Sequence, residues 1–162
     1  HRPKDYDHLC DTALSLKARI DELLSKEAPV YGICHGDFNR TNVHFDDADA
    51  PTVFDFDCFG YGWRAYDLAV FGWQAGDFGW SKTAKANRTR RWNLFLRGYE
   101  EHRTLSAAEH EAVKVFPPIR QIWNMGLGVG RADRSGRRGP TDGELEWSIK
   151  FIRDWIDYYG VL

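Results

Sequence analysis

The stretch His35-Gly36-Asp37-Phe38-Asn39-Arg40-Thr41-Asn42, followed by Val53-Phe54-Asp55-Phe56-Asp57, decides how this chain is read. A short apolar run, Val30 to Cys34, leads into it and predicts a buried strand. Asn42 to Phe45 and Thr52 to Phe56 are two further β-like runs. The turn formers Asp46 to Pro51 between them predict a small hairpin. Asp37 and Asn42 therefore share one loop, five residues apart, and Asp55 falls at the end of a neighbouring strand. That arrangement suits phosphoryl transfer from ATP, in which positioning and charge neutralisation do most of the work. One carboxylate orients the acceptor hydroxyl and takes its proton. A second carboxylate and a neutral oxygen hold magnesium, which prefers hard oxygen donors.

Outward from this core the chain reads as helix. Asp7 to Lys26 places Leu9, Ala13, Leu16, Ile20, Leu23 and Leu24 at helical spacing, an amphipathic helix that Pro29 is expected to end. A short apolar helix is predicted over Tyr66 to Gln74 and a long one over Lys85 to Arg103. Ser106 with Glu109 forms a capping box for a further helix, which Pro117-Pro118 should interrupt. Thr141 with Glu144 repeats the box ahead of a last helix carrying Leu145, Ile149, Ile152 and Ile156. The glycines of Gly126-Leu127-Gly128-Val129-Gly130 read as a helix end or a close helix crossing. The basic run Arg131 to Arg138, with Arg134 and Arg137, reads as a solvated loop. The expected fold class is mostly α with a small β-hairpin insert.

Protein kinases apply the same chemical logic in H-R-D-x-x-x-x-N followed by D-F-G. Here the His-x-Asp-x-x-x-x-Asn spacing is kept, with Gly36 in place of Arg and D-F-D over Asp55 to Asp57. A third element follows, Gly60-Tyr61-Gly62-Trp63-Arg64-Ala65-Tyr66-Asp67-Leu68-Ala69. Together these residues resemble the aminoglycoside phosphotransferase and choline kinase-like family. Its loop reads H-G-D-x-x-x-x-N, its metal strand roughly I-D-F/W, and its next segment G-x-x-x-x-D-L-A. The resemblance is specific over His35 to Ala69 and architectural over the helices beyond. It implies the C-terminal, helical lobe of a protein-kinase-like α+β fold. It implies Asp37 as the catalytic base, with His35 bracing the catalytic loop. Asn42 and Asp55 become the ligands of Mg²⁺ and hence the contacts to ATP, and Asp67 tethers the loop from the next helix. Asp57 stays between two roles, reaching the metal through water or hydrogen-bonding the hairpin. His44 reads as a hairpin surface residue and Cys58 as a packed thiol.

The resemblance also implies an N-terminal β-rich lobe with a phosphate-covering loop and a strand lysine. No strand ahead of His35 carries one, and the chain starts at His1 rather than Met. Residues 1–162 are therefore expected to be a single catalytic and substrate-binding domain whose ATP-clamping lobe lies outside the chain. Alone, such a fragment is expected to bind nucleotide weakly and turn over negligibly.

Composition narrows the function classes. With 43% apolar and 28% charged residues the chain is expected to be globular, and its net charge of −2 gives no field favouring nucleic acid or an anionic membrane. The three cysteines form no C-x-x-C pair, so neither a disulfide framework nor a structural zinc is signalled, and a reducing cytoplasm suits them. No apolar stretch is long enough to span a bilayer. The expected activity is ATP-dependent phosphate transfer to a hydroxyl of a small molecule. Trp73, Trp80, Trp123, Trp147 and Trp155 mix with Asp77, Asp142, Glu144, Glu146 and Asp154. Such a surface suits a cationic acceptor such as an aminoglycoside or an amino alcohol, through charge pairing and cation–π contact. One alternative is a metal-dependent phosphatase or other hydrolase using Asp37, Asp55, Asp57 and His35 around two cations. It wants more metal-binding groups later in the chain, where only His102 and His110 remain among the histidines. A non-catalytic kinase-like binding module is the other, and the intact base and metal residues count against it.

Overall fold

Apolar residues at helical spacing form five α-helices among the described residues, and short β-like runs pair into two antiparallel ribbons. The computed structural model describes residues 3–74, 81–136 and 138–162. The elements run α1 (Pro3–Leu23), β1 (Tyr31–Cys34), a 3-10 turn (Arg40–Asn42), β2 (Val43–Phe45), β3 (Pro51–Val53) and β4 (Gly60–Trp63). They continue with α2 (Arg64–Gln74), α3 (Lys82–Glu100), α4 (Ala107–Ser135) and α5 (Asp142–Tyr159). The fold is thus mostly α with a small hairpin, as the sequence pattern implies. Two compact units are present, residues 24–113 and residues 1–23 with 114–162. Among the described residues no helix is long and apolar enough to cross a membrane.

In the unit of residues 24–113, β2 pairs with β3 as the predicted hairpin, Val43 opposite Val53 and Phe45 opposite Pro51. The Asp46 carboxylate closes its turn by accepting the N–H groups of Ala48 and Ala50, both at 2.9 Å. β4 is a strand that the sequence pattern does not predict. It pairs antiparallel with β1, Tyr31 opposite Trp63 and Cys34 opposite Gly60. Two glycines lower its intrinsic strand tendency, and tertiary fit overrides that. Gly32 faces Gly62, and the Arg64 side chain lies so close to Gly32 that a Cβ there would meet its Nη2 at 2.8 Å. Helix α2 packs on β1, β4 and α3, burying Ala65, Leu68, Ala69, Val70 and Trp73.

The predicted box at Ser106 and Glu109 opens α4. The Ser106 N–H donates to Glu109 Oε2 at 3.0 Å, and the Glu109 N–H donates to Ser106 Oγ at 3.2 Å. Glu109 is also buried against the Arg103 guanidinium. Burial works against its charge, but the Ser106 N–H and the guanidinium overcome that and hold the carboxyl below its usual range. The resulting stabilisation is whole above the range where unfolded glutamates titrate and is lost as falling pH titrates the folded carboxyl. Glu109→Gln is accordingly expected to cost about 1–3 kcal/mol at pH 7. In urea titrations the gap to the native protein should close at acid pH, and a gap of constant size would contradict the charge argument.

In the unit formed by the chain ends, α1 buries Leu16 and Ile20, α4 buries Val115, Phe116 and Pro118, and α5 buries Phe151, Ile152 and Trp155. Pro117 and Pro118 do not interrupt the helix, contrary to expectation; α4 runs through both. Pro118 lacks the N–H that would bond the Lys114 carbonyl one turn earlier. The Trp155 indole N–H takes its place, donating to that carbonyl at 2.8 Å. The Gly126–Gly130 cluster lies inside α4 and is no helix end; a Cβ at Gly128 would touch Pro140 at an ordinary 3.7 Å. The basic run is likewise part helix, since Arg131 to Ser135 close α4. Thr141 and Glu144 form the predicted capping box of α5, which Gly160 ends at φ 60°. Helix α1 stops at Leu23, well before Pro29.

Candidate functional site

The site is built from the loop between β1 and β2, within residues 24–113. Strand β1 delivers the chain into Gly36, whose φ is +80°. A Cβ there would lie 2.0 Å from the Cys58 carbonyl oxygen. Only glycine fits, which accounts for its standing where protein kinases have arginine. Asp67, in the first turn of α2, receives the loop: its Oδ2 accepts the His35 N–H at 2.7 Å and its Oδ1 the Gly36 N–H at 2.8 Å. The two bonds make a fork between one carboxylate and two successive backbone donors.

His35 is buried and engaged at both ring nitrogens. Nδ1 accepts the Asp37 N–H at 3.3 Å, so Nε2 carries the proton and donates to the Phe54 carbonyl at 2.9 Å. Both nitrogens serve the backbone, which counts against His35 as a metal ligand in a two-cation hydrolase. The ring also rests against Phe56, with centroids 4.5 Å apart.

Asp37 is half-buried, and its backbone is held on both sides. Asn42, 5% exposed, donates from Nδ2 to the Asp37 carbonyl at 3.0 Å and toward its carboxylate at 3.3 Å. With the amide nitrogen so committed, Oδ1 is the group Asn42 can offer a cation. The Asn42 carbonyl accepts the Phe54 N–H at 3.1 Å. Phe54 is therefore clamped, by Asn42 at its N–H and by His35 at its carbonyl. The next residue is Asp55, exposed and left-handed at φ 63°. Such a conformation in a non-glycine residue is uncommon and is tolerated best by Asn and Asp. The candidate metal residues thus supply oxygen donors, the chemistry magnesium requires. Among the described residues no cluster of three His, Cys, Asp or Glu side chains fit for a metal occurs.

Asp57 lies in an exposed turn closed by the Phe59 N–H and the Phe56 carbonyl at 3.0 Å. His44 is exposed on β2. Cys58 is exposed and so is not the packed thiol expected; its carbonyl faces Gly36 of the loop. Cys34 is the buried thiol, pushed up to about 11 by burial and by the Asp67 carboxylate, with Arg64 opposing. Phe38 anchors the loop to the helices. Its ring is 6.0 Å from Phe71 and 6.2 Å from Phe95, which stack on each other at 3.9 Å.

Asn39 belongs to no motif, although Asn ahead of a short helical turn is an N-cap signal. It is 4% exposed and accepts the Thr41 N–H at 2.8 Å. Of the tryptophans proposed to face an acceptor, Trp73 and Trp155 are buried core, and Arg120 already covers Trp123 at 4.3 Å. Trp147 is exposed and lines a cavity of about 680 Å³ with Glu144, Gln121, Asn124 and Arg138, within the unit of the chain ends. Asp77, Trp80 and Arg137 lie outside the described residues.

Comparison with known proteins places the chain in a family. The profile of a phosphotransferase enzyme family matches residues 2–105. An uncharacterized protein of Deinococcus radiodurans is 34% identical over 159 residues, covering 93% of this chain and 44% of that protein. An uncharacterized protein of Synechocystis sp. is 29% identical over 129 residues, covering 80% of this chain and 34% of that protein. The chain therefore spans less than half the length of these relatives. A solved structure of amicoumacin kinase hAmiN in complex with AMP-PNP, Ca²⁺ and Ami superposes with a TM-score of 0.60 at 20% identity. That match takes in 90% of this chain and 45% of the kinase, so the fold is that of part of a kinase.

Proposed function

The chain belongs to the phosphotransferase enzyme family, and from that premise we propose that it is the catalytic, helical lobe of an ATP-dependent kinase acting on a small-molecule hydroxyl. The observation that carries the reading is the clamp joining Asn42, Phe54 and His35 around Asp37, which ties a carboxylate base and two oxygen donors into one unit. Asp37 orients the acceptor hydroxyl and takes its proton as the oxygen attacks the γ-phosphorus, whose bond to the β–γ bridging oxygen breaks so that ADP leaves. Asn42 Oδ1 and the Asp55 carboxylate are the groups that would hold Mg²⁺, with Asp57 placed to act through water. The metal, when bound, neutralises charge on the transferring phosphate. The other residues hold position: His35 and Asp67 fix the loop, and Phe38 ties it to α2 and α3. The AMP-PNP and Ca²⁺ in the amicoumacin kinase complex support nucleotide and divalent-metal use.

The exposed apolar residues Phe45, Phe54, Phe56 and Phe59, beside the site, support a partner surface there. Their occupant in this reading is the protein's own N-terminal, ATP-clamping lobe. The length of the relatives leaves room for it. Trp147 beside Glu144 supports a cationic acceptor, an aminoglycoside or an amino alcohol. The free cysteines Cys10, Cys34 and Cys58 suit a reducing cytoplasm.

The test follows Mg²⁺-dependent ADP release by the full-length protein across aminoglycosides, choline-like amines, homoserine and sugars. Release stimulated by one class of acceptor is the expected result and names the substrate. Silence across the panel, with no Mg²⁺–ATP binding by calorimetry, would sink the reading.

A further inference from the structure

Two side-chain amides converge on the Asp37 carbonyl. One is Asn42, whose role belongs to the reading above; the other is Asn39, whose Nδ2 donates to the same oxygen at 3.1 Å. At its other end Asn39 Oδ1 accepts the Thr41 N–H at 2.8 Å and the Thr41 hydroxyl at 2.6 Å. Its backbone carbonyl accepts the Asn42 N–H at 3.1 Å. Asn39 therefore caps the 3-10 turn that carries Asn42 and, with the same side chain, grips the residue carrying the carboxylate. On the far side of Asp37 its N–H is held by His35 Nδ1. The peptide groups flanking the Asp37 Cα are both fixed, and the Asp37 side-chain torsions are all that remain to aim the carboxylate.

Residue chemistry explains why an amide stands here. Ser and Asp cap a helical turn about as well as Asn. Ser is too short to reach both ends, and ionised Asp has no donor for the Asp37 carbonyl. Asn alone of these offers an acceptor and a donor in one planar group. Being 96% buried, it makes those bonds away from water, where a lost partner leaves a polar group unsatisfied.

We propose that Asn39 is a positioning residue for phosphoryl transfer, which keeps the Asp37 carboxylate and the Asn42 amide at one fixed spacing. This rests on the kinase reading. A base displaced by about 1 Å loses on the order of 100-fold in rate. Nucleotide and acceptor binding are expected to stay in place when only the grip is lost, because Asn39 is 96% buried and a serine still caps the turn that carries Asn42.

The experiment compares Asn39→Ser with Asp37→Asn in the full-length enzyme, using Mg²⁺–ATP and the acceptor found in the panel. Asn39→Ser is expected to lower kcat about 10- to 100-fold with both KM values within roughly twofold. Its thermal midpoint should stay within about 3 °C of the native protein, since the serine still caps. Wild-type kcat in Asn39→Ser, with Asp37→Asn inactive, would overturn the positioning role and leave the kinase reading standing. Wild-type kcat in Asp37→Asn would mean that Asp37 is not the base and would overturn the inference, whereas the kinase reading itself falls only with silence across the acceptor panel. A loss in Asn39→Ser that merely follows a fallen midpoint marks an ordinary structural residue and also overturns the proposal. Should the variant fail to fold, NMR of the native protein decides: a through-hydrogen-bond coupling between Asn39 Nδ2 and the Asp37 carbonyl is expected, and its absence refutes the grip.

Discussion

Asp37→Asn is expected to lower acceptor-dependent ADP release by the full-length protein about 10²- to 10⁴-fold, the usual contribution of a positioned general base. The substitution is close to isosteric. Its backbone bonds hold this residue, the N–H donating to His35 Nδ1 and the carbonyl accepting from Asn39 and Asn42, and the longer Asn42 contact to its carboxylate, 3.3 Å, can pass to the amide oxygen of the variant. None of them depends on the carboxylate charge, so the loop should keep its shape and KM for ATP should change little. What is lost is the oxygen that accepts the acceptor's proton. The effect should therefore fall on kcat, as for a group acting in the transition state. A residual rate within tenfold of the native enzyme would mean that Asp37 is not the base.

Gly36→Ala is expected to act on the fold of the site rather than on its chemistry. Its φ of +80° disfavours any side chain, by roughly 1–2 kcal/mol. The added Cβ would meet the Cys58 carbonyl oxygen at 2.0 Å and its carbon at 2.8 Å. These are backbone atoms and cannot swing aside like the end of a long side chain. Relief requires moving the Gly36 peptide, and with it the N–H that bonds Asp67 Oδ1. A charged hydrogen bond lost in this way costs a further ~1–3 kcal/mol. The sum, roughly 3 kcal/mol, should appear as a lowered urea midpoint together with near-complete loss of activity. Gly143→Ala is the matched control: it lies in α5 with nothing within 4 Å of its Cβ position, and helix propensity alone makes it neutral or stabilising. A Gly36→Ala protein as stable as this control would refute the packing argument.

Much of the site was legible because its signals are local. The five-residue interval from Asp37 to Asn42 spans one loop, and the turn formers after Phe45 announce the hairpin that brings Asp55 back. Capping boxes at Ser106 and Thr141 depend on residues three apart, so they could be read directly. Asn39 was equally local but carries no motif, and its double use is visible only when the distances to Asp37 and Thr41 are known.

The family resemblance supplied Asp57, His35 and Asp67; residue type and spacing by themselves determined the mostly helical class, the hairpin, and the choice of Asp37, Asn42 and Asp55 as candidates. Each of those readings rests on interactions within a few residues, or on a periodicity that any apolar face must obey. The tertiary structure alone decided the rest. It paired β4 with β1 across 25 intervening residues, Cys34 to Gly60 being its near end and Tyr31 to Trp63 its far end. It carried α4 through two prolines by giving the Lys114 carbonyl the Trp155 indole as a donor. It also set Asp55 in the left-handed region beside a Phe54 clamped by Asn42 and His35. The physical reason is common to all of these. A backbone group freed or strained at one point was satisfied by a partner far along the chain, and local propensity holds no information about partners that distant.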